Sequence, residues 1–258
     1  MKPAFVLLAS SLRRTLLHHT FIQQFKSGAN LNSTICNLKS KIAKMPLVYQ
    51  QNINADTKIA VWHITEEEDF FLASVPLQRE IKHWQKRLQH LAGRLLLKEL
   101  YPDFPVELIQ IADTKKPFLE NEPFHFSISH CGDYAAAMVS KTHRVGVDVE
   151  LLNDKVTQIQ HKFTSETELK IVEKLAAENI QHSTFNLQHL TLCWSVKESV
   201  FKWWGKGQVD FKKDIVIQSI TGLPDQGVVH CVFRHEFDLE VHYLFFNQNF
   251  LTWVLTAH

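Results

Sequence analysis

Between Val145 and Glu150 apolar and non-apolar positions alternate: Val145, Val147 and Val149 are interleaved with Gly146, Asp148 and Glu150. A period of two belongs to a β-strand, whose successive side chains point to opposite faces. The valines are therefore expected to enter a core, while Gly146, Asp148 and Glu150 share the other face. Further on the period changes. Trp194, Glu198 and Lys202 recur at intervals of four, the spacing of one helical stripe, in a helix predicted from about Leu187 to Trp204 and stopped by Gly205-Lys206-Gly207.

The remaining pattern predicts a mixed architecture. Lys58–Ile64 reads as a strand, and Leu77–Leu100 has helical periodicity with Trp84, Leu88, Leu91, Leu95 and Leu96 as its apolar stripe, ended by Pro102 and Pro105. Phe124–Ser129 and Tyr134–Ser140 are two strand-like runs joined by a turn at Cys131-Gly132-Asp133. Ser165-Glu166-Thr167-Glu168 has capping-box spacing and should start a helix running to about Glu178. From Ile215 onward the chain is strand-rich, with a turn at Leu223–Gly227. This order predicts an α+β fold of two similar halves, residues 45–144 and 145–258, with no linker between them and hence an intimate interface.

Composition narrows the functional classes. The 258 residues are 45% apolar, enough for one large domain or two small ones. A net charge of +1 gives no case for a nucleic-acid protein. Cys36, Cys131, Cys193 and Cys231 lie far apart with no CxxC, which opposes a zinc ribbon and suits reduced thiols in the cytoplasm. No Asp or Glu precedes Asp56, and the apolar run Phe5–Ala9 is too short to span a membrane. Residues 1–44 fit a basic, hydroxyl-bearing presequence better than a signal peptide, but Met45-Pro46-Leu47 also reads as a start. This stretch is set aside as an extension, disordered or upstream of the native start.

The candidate chemistry lies in the two patterned segments. Asp148 and Glu150, about 7 Å apart along a strand, can bracket one hard cation. Glu198 and Lys202 place an acid and a base one turn apart, able to hold metal, phosphate and an incoming nucleophile. The plainer alternatives are the wet face of a half-exposed strand and a surface ion pair contributing a few tenths of a kcal/mol. Against them, strands are depleted in Asp, and adjacent like charges repel unless something positive lies between. Lys116 precedes Pro117 and is held extended, presenting a point charge suited to phosphate. Ser129-His130 ends a strand and offers a hydroxyl and an imidazole to a phosphate or ribose, although His130 also suits a turn cap. A P-loop, GxGxxG and GxSxG are all absent.

Taken in order, Lys116-Pro117, Ser127-Ile128-Ser129-His130, Gly146-Val147-Asp148-Val149-Glu150 and Trp194-Ser195-Val196-Lys197-Glu198-Ser199-Val200-Phe201-Lys202 resemble the 4′-phosphopantetheinyl transferase superfamily. The similarity is to its larger, single-chain type, a pseudo-dimer of two α/β halves, each a small, mostly antiparallel sheet packed with helices. It covers about Leu47 to His258.

The resemblance implies transfer of 4′-phosphopantetheine from coenzyme A to a serine of an apo acyl or peptidyl carrier protein. Asp148 then looks like the principal Mg2+ ligand (Mn2+ is also compatible), with Glu150 and Glu198 completing the carboxylate set. Glu198 resembles the base for the serine hydroxyl, and Lys202 the lysine on the transferred phosphate. Lys116, Ser129 and His130 look like coenzyme A contacts. Arg87 and Arg94 resemble a basic helix for the 3′-phosphate, although Gln89-His90 stands where the family often has an acidic-aromatic pair. Trp194 is expected to pack and fix the helix. The expected protein is a cytoplasmic monomer that binds neither nucleic acid nor membrane. Two competing readings use the same residues: a magnesium-dependent phosphodiesterase or nucleotide hydrolase, and a non-catalytic homologue that only binds coenzyme A or a carrier protein.

Overall fold

A computed structural model of the chain describes residues 46–178 and 185–257. The expectations for residues 1–44, Cys36 among them, fall outside that range. In chain order the elements are β1 (Leu47–Asn52), β2 (Thr57–His63), α1 (Glu68–Leu72), α2 (Trp84–Leu100), a 3-10 turn at Val106–Leu108, β3 (Gln110–Ile111), β4 (Pro117–Phe118), β5 (His125–Cys131), β6 (Tyr134–Ser140) and β7 (His143–Leu151). There follow α3 (Lys155–Phe163), α4 (Glu166–Glu178), α5 (Phe185–Trp204), β8 (Ile215–Leu223), β9 (Gln226–Phe233), β10 (Phe237–Phe246) and β11 (Asn249–Ala257).

The fold is α+β, built from two sheet-bearing halves. The first sheet has strand order β1-β2-β6-β5 and the second β7-β11-β10-β9-β8, with antiparallel ladders throughout. Alternation decides which side each strand residue occupies. In β2 and β6, Ala60, Trp62, Ala135, Ala137 and Val139 pack with Leu91, Leu95 and Leu96 of α2. Their neighbours Ile59, Val61, Ala136 and Met138 turn the other way, onto Val145, Val147, Val149, Leu251 and Trp253 of the second sheet. The far face of that second sheet is covered by α5 through Val196, Val200 and Trp203. The layers therefore run helix, sheet, sheet, helix, and the two sheets share one apolar seam.

The valines of β7 enter this seam, as their alternation requires, and the opposite face of the strand meets α5. Gly146 marks the closest approach: a Cβ there would stand 2.1 Å from the Ser199 carbonyl oxygen and 2.7 Å from the Trp203 nitrogen. Only glycine lets the two backbones come that near. At its end α5 closes on Gly205, whose φ of +69° is the left-handed cap conformation and whose N–H is donated to the Phe201 carbonyl at 3.0 Å.

Two expectations are corrected. The helix predicted from Leu77 begins at Trp84, and Trp84 is 62% exposed rather than part of the apolar stripe. The preceding turn is diverted because Gln78 Nε2 donates to the Val106 and Glu107 carbonyls, tying that segment to the 3-10 turn. Elsewhere the capping box forms as read: the Ser165 N–H is donated to Glu168 Oε2 at 2.7 Å, and the Glu168 N–H to Ser165 Oγ at 3.2 Å.

Candidate active site

Three elements meet at Asp148. The residue sits on the α5-facing side of β7, 3% exposed, and in the β7–β11 ladder it stands opposite Thr252. Its Oδ1 accepts a hydrogen bond from Ser129 Oγ of β5 at 2.7 Å and another from Lys202 Nζ of α5 at 2.6 Å. Lys202 Nζ also donates to Ser129 Oγ at 2.7 Å, closing a triangle of hydroxyl, carboxylate and ammonium. The second oxygen, Oδ2, accepts from Ser195 Oγ at 2.8 Å. Ser195 is in turn 3.0 Å from Thr252 Oγ1, which donates to the Ser195 carbonyl at 2.9 Å. A carboxylate with both oxygens occupied by donors is favoured in its charged form and held in one orientation.

Two more carboxyl groups lie within electrostatic reach. Glu150 is two residues along the same strand face, and Cys131 Sγ approaches its Oε1 at 3.7 Å. Burial, then Asp148, pushes the Glu150 pKa up to about 7, with Glu198 adding to the rise and Cys131 and Lys202 opposing it. Glu198 is likewise pushed up to about 7, by burial first and by Asp148 second, against Lys202. The Cys131 thiol is raised to about 11 by burial and then by Glu150, so it stands as a protonated neighbour. Three carboxylates with one ammonium among them leave a deficit of positive charge. Their oxygen donors suit a hard divalent cation. Among the described residues, no three His, Cys, Asp or Glu side chains are already gathered tightly enough to hold a metal.

The remaining sequence candidates separate. His130 is exposed at the end of β5, and its pKa is lowered by the protein packed around it and then by Lys86. Arg94 is buried, donates to Gln78 Oε1 at 3.2 Å and lies 3.1 Å from His90 Nδ1. His90 is lowered to about 3, by burial first and then by Arg94, Arg79 and His130. Arg94, Arg79, His90 and His130 thus act on one another electrostatically, and the arginines help hold His90 in its neutral form. Arg87 does not join them, for its guanidinium is held by Glu68 of α1 at 2.6 Å. Lys116 lies against the last turn of α5, so that a Cβ on Gly205 would be 2.5 Å from its Nζ. Burial, followed by Arg144, lowers the Lys116 pKa to about 8. Trp194 packs between Phe163 and Phe211, at ring separations of 5.2 and 5.5 Å.

Sequence reading missed Ser195 and Thr252. A signal for Ser195 was present, since a hydroxyl at the centre of an otherwise apolar helical stretch usually has a partner. Thr252 gave none, because only the register of β11 on β7 brings it opposite Asp148.

Residues 144–252 match the family model of the 4′-phosphopantetheinyl transferase superfamily. The chain is 30% identical over 125 residues to the 4′-phosphopantetheinyl transferase gsp of Aneurinibacillus migulanus, covering 45% of this chain and 48% of that protein. It is 33% identical over 120 residues to enterobactin synthase component D of Salmonella typhi, covering 46% and 48%. To 4′-phosphopantetheinyl transferase AcpT of Escherichia coli K12 it is 26% identical over 126 residues, covering 49% and 62%. The chain spans about half the length of the first of these relatives.

Proposed function

We propose, starting from the match of residues 144–252 to the family model of the 4′-phosphopantetheinyl transferase superfamily, that this chain moves the 4′-phosphopantetheine group of coenzyme A onto a serine of an apo carrier protein. The observation that carries this reading is the Ser129–Asp148–Lys202 triangle with Glu150 and Glu198 beside it. In the reaction the carrier's serine oxygen forms a bond to the β-phosphorus of coenzyme A. The phosphoanhydride bond breaks, and adenosine 3′,5′-bisphosphate leaves with the electron pair.

Each residue then has a task. Glu198, with a pKa near 7, accepts the serine proton at its carboxylate. Lys202 supplies positive charge to the phosphate oxygens, in the part of the site where charge accumulates during phosphoryl transfer. Asp148, Glu150 and Glu198 would hold a Mg2+ ion, which supplies charge neutralisation to the diphosphate. Ser129 and His130, with Lys116, are read as coenzyme A contacts, and Arg87 and Arg94 of α2 as the basic residues for its 3′-phosphate, Arg87 being paired with Glu68 and Arg94 buried against Gln78.

The half from 45 to 144 and the half from 145 to 258 are read as two α+β domains, the second carrying the metal ligands, with 1–44 as an extension. The protein is read as a cytoplasmic monomer; no helix among the described residues is long and apolar enough to cross a membrane.

The test is incubation with an apo acyl or peptidyl carrier protein, coenzyme A and magnesium, followed by mass analysis of the carrier. Addition of phosphopantetheine to the carrier is expected. Release of adenosine 3′,5′-bisphosphate at a comparable rate without carrier would make water the nucleophile and overturn the reading.

A further inference from the structure

One charged pair takes no part in the site yet sits directly behind it. Lys197 and Glu168 are both 0% exposed, with Lys197 Nζ 2.7 Å from Glu168 Oε1. The ammonium also donates to the carbonyls of Phe163 at 2.6 Å, Ile215 at 2.7 Å and Phe211 at 3.0 Å. Glu168 is equally committed, for Oε1 accepts the Ile217 N–H at 2.8 Å and Oε2 the Ser165 N–H at 2.7 Å. A single side chain of α5 therefore grips the end of α3, the start of α4, the turn before β8 and the first residue of β8.

Such a pair is a poor source of stability. The loss of hydration of two buried charges offsets most of their attraction, and apolar pairs of similar volume often do as well or better. Its hydrogen bonds are directional, however, and they fix the rotation of α5 about its own axis. Lys197 immediately precedes Glu198 and lies on the hidden face of the helix that presents Glu198 and Lys202.

The gripped residues connect the two faces. Phe163 and Phe211 give their carbonyls to Lys197 and their rings to the helix flank. Phe163 meets Trp194 at 5.2 Å, and Phe211 meets both Trp194 and Phe201 at 5.5 Å. Trp194 and Phe201 lie on either side of Glu198 along α5. A rotation of roughly 20° would move a side-chain tip about 5 Å from the helix axis by about 2 Å, and a misplacement of about 1 Å at a reacting group can cost on the order of a hundredfold in rate.

We infer that Lys197 and Glu168 are positioning residues which lock the rotation of α5 and thereby the placement of Glu198 and Lys202; the roles of those two residues rest on the transferase reading. The test uses the full chain in two forms, the double variant Lys197→Met with Glu168→Met and the single variant Glu168→Gln. The double variant is expected to melt cooperatively like wild type, while its kcat falls about a hundredfold and its KM for coenzyme A changes by less than about threefold, because the displaced groups act mainly in the transition state. Glu168→Gln is expected to lose about tenfold in kcat, since it leaves the ammonium buried without its charge partner.

A folded double variant with kcat within threefold of wild type would overturn the inference, as would a folded Glu168→Gln within twofold should the double variant fail to fold. Collapse of both variants would make the pair a stability element and would overturn it too. A wild-type chain that modifies no carrier would instead sink the transferase reading. The pair is then judged by hydrogen exchange of the α5 amides from 198 to 202. Exchange at least tenfold faster in the folded variants supports the lock, and unchanged exchange rejects it.

Discussion

Ser195 and Lys202 hold Asp148 from opposite oxygens: the serine hydroxyl donates to Oδ2 at 2.8 Å and the lysine ammonium to Oδ1 at 2.6 Å. Both donors come from one helix, seven residues apart, and the acceptor comes from a strand. The orientation of the carboxylate is thus a property of how α5 lies on β7, and side-chain changes at either donor should act on it differently.

Asp148→Ala should abolish transfer, whereas Glu150→Gln should only weaken it, since the carboxylates of Asp148 and Glu198 and the diphosphate oxygens still offer hard ligands. Turnover measured across a magnesium titration distinguishes the two. Near-normal rates for Asp148→Ala at limiting magnesium would remove this residue from the ligand set.

Lys202→Ala should lower kcat by about two to four kcal/mol of transition-state stabilisation, the usual size of a lost electrostatic donor. The affinity for coenzyme A should fall by much less. Glu198→Gln keeps the shape but loses charge and basicity, so its rate should collapse together with its magnesium dependence. Single-turnover kinetics alongside coenzyme A binding would separate these outcomes.

The raised carboxyl groups set a pH dependence. Glu150 and Glu198 have folded-state pKa values of about 7, above the ordinary value of 4.5. Between those two pH values the folded chain binds more protons than the unfolded one, so the slope of stability against pH is negative. The metal-free protein should be most stable below about pH 4.5 as far as these groups are concerned, lose that contribution as pH rises to 7, and level off above. Magnesium binds the ionised forms and should raise Tm most above pH 7. Melting curves over pH 5–8 with and without magnesium check this, and the double variant Glu150→Gln with Glu198→Gln should flatten both.

Gly146→Ala should be destabilising by about 1–3 kcal/mol or more, the usual range for overpacking, because the new methyl would meet the Ser199 carbonyl oxygen at 2.1 Å. The helix must then lift from β7, so activity should fall further than urea-induced unfolding alone accounts for. An alanine variant with unchanged stability and activity would show that the α5–β7 spacing is not critical.

Local periodicity made β7 and α5 readable, together with the carboxylates and lysine they carry, because each pattern is complete within a few residues. β1 was missed because Leu47–Asn52 is an edge strand whose last three residues are exposed, so it lacks a clear apolar alternation. α3 is only nine residues long, and its signal, Val156, Ile159 and Phe163, is a single short stripe. Trp84 misled in the opposite direction, being apolar and in phase with the α2 stripe yet lying at its exposed start. The hydroxyl partners of Asp148 and the four carbonyl and carboxylate acceptors of Lys197 come from distant segments. Their proximity follows from strand register and layer packing, which single-sequence periodicity does not encode.

The triangle at Asp148 draws Ser129 from the first sheet and the other two residues from the second half, across the seam lined by Ala136, Met138, Val147 and Leu251. The thickness of that apolar filling is therefore a caliper setting for the chemistry. Packed sheets have little slack, so a side chain one methylene larger at Ala136, which stands opposite Ser129 in the β5–β6 ladder, would part Ser129 from Asp148. Mutational drift in this seam would be felt first as a loosened Ser129–Asp148 contact, while both halves still held their folds.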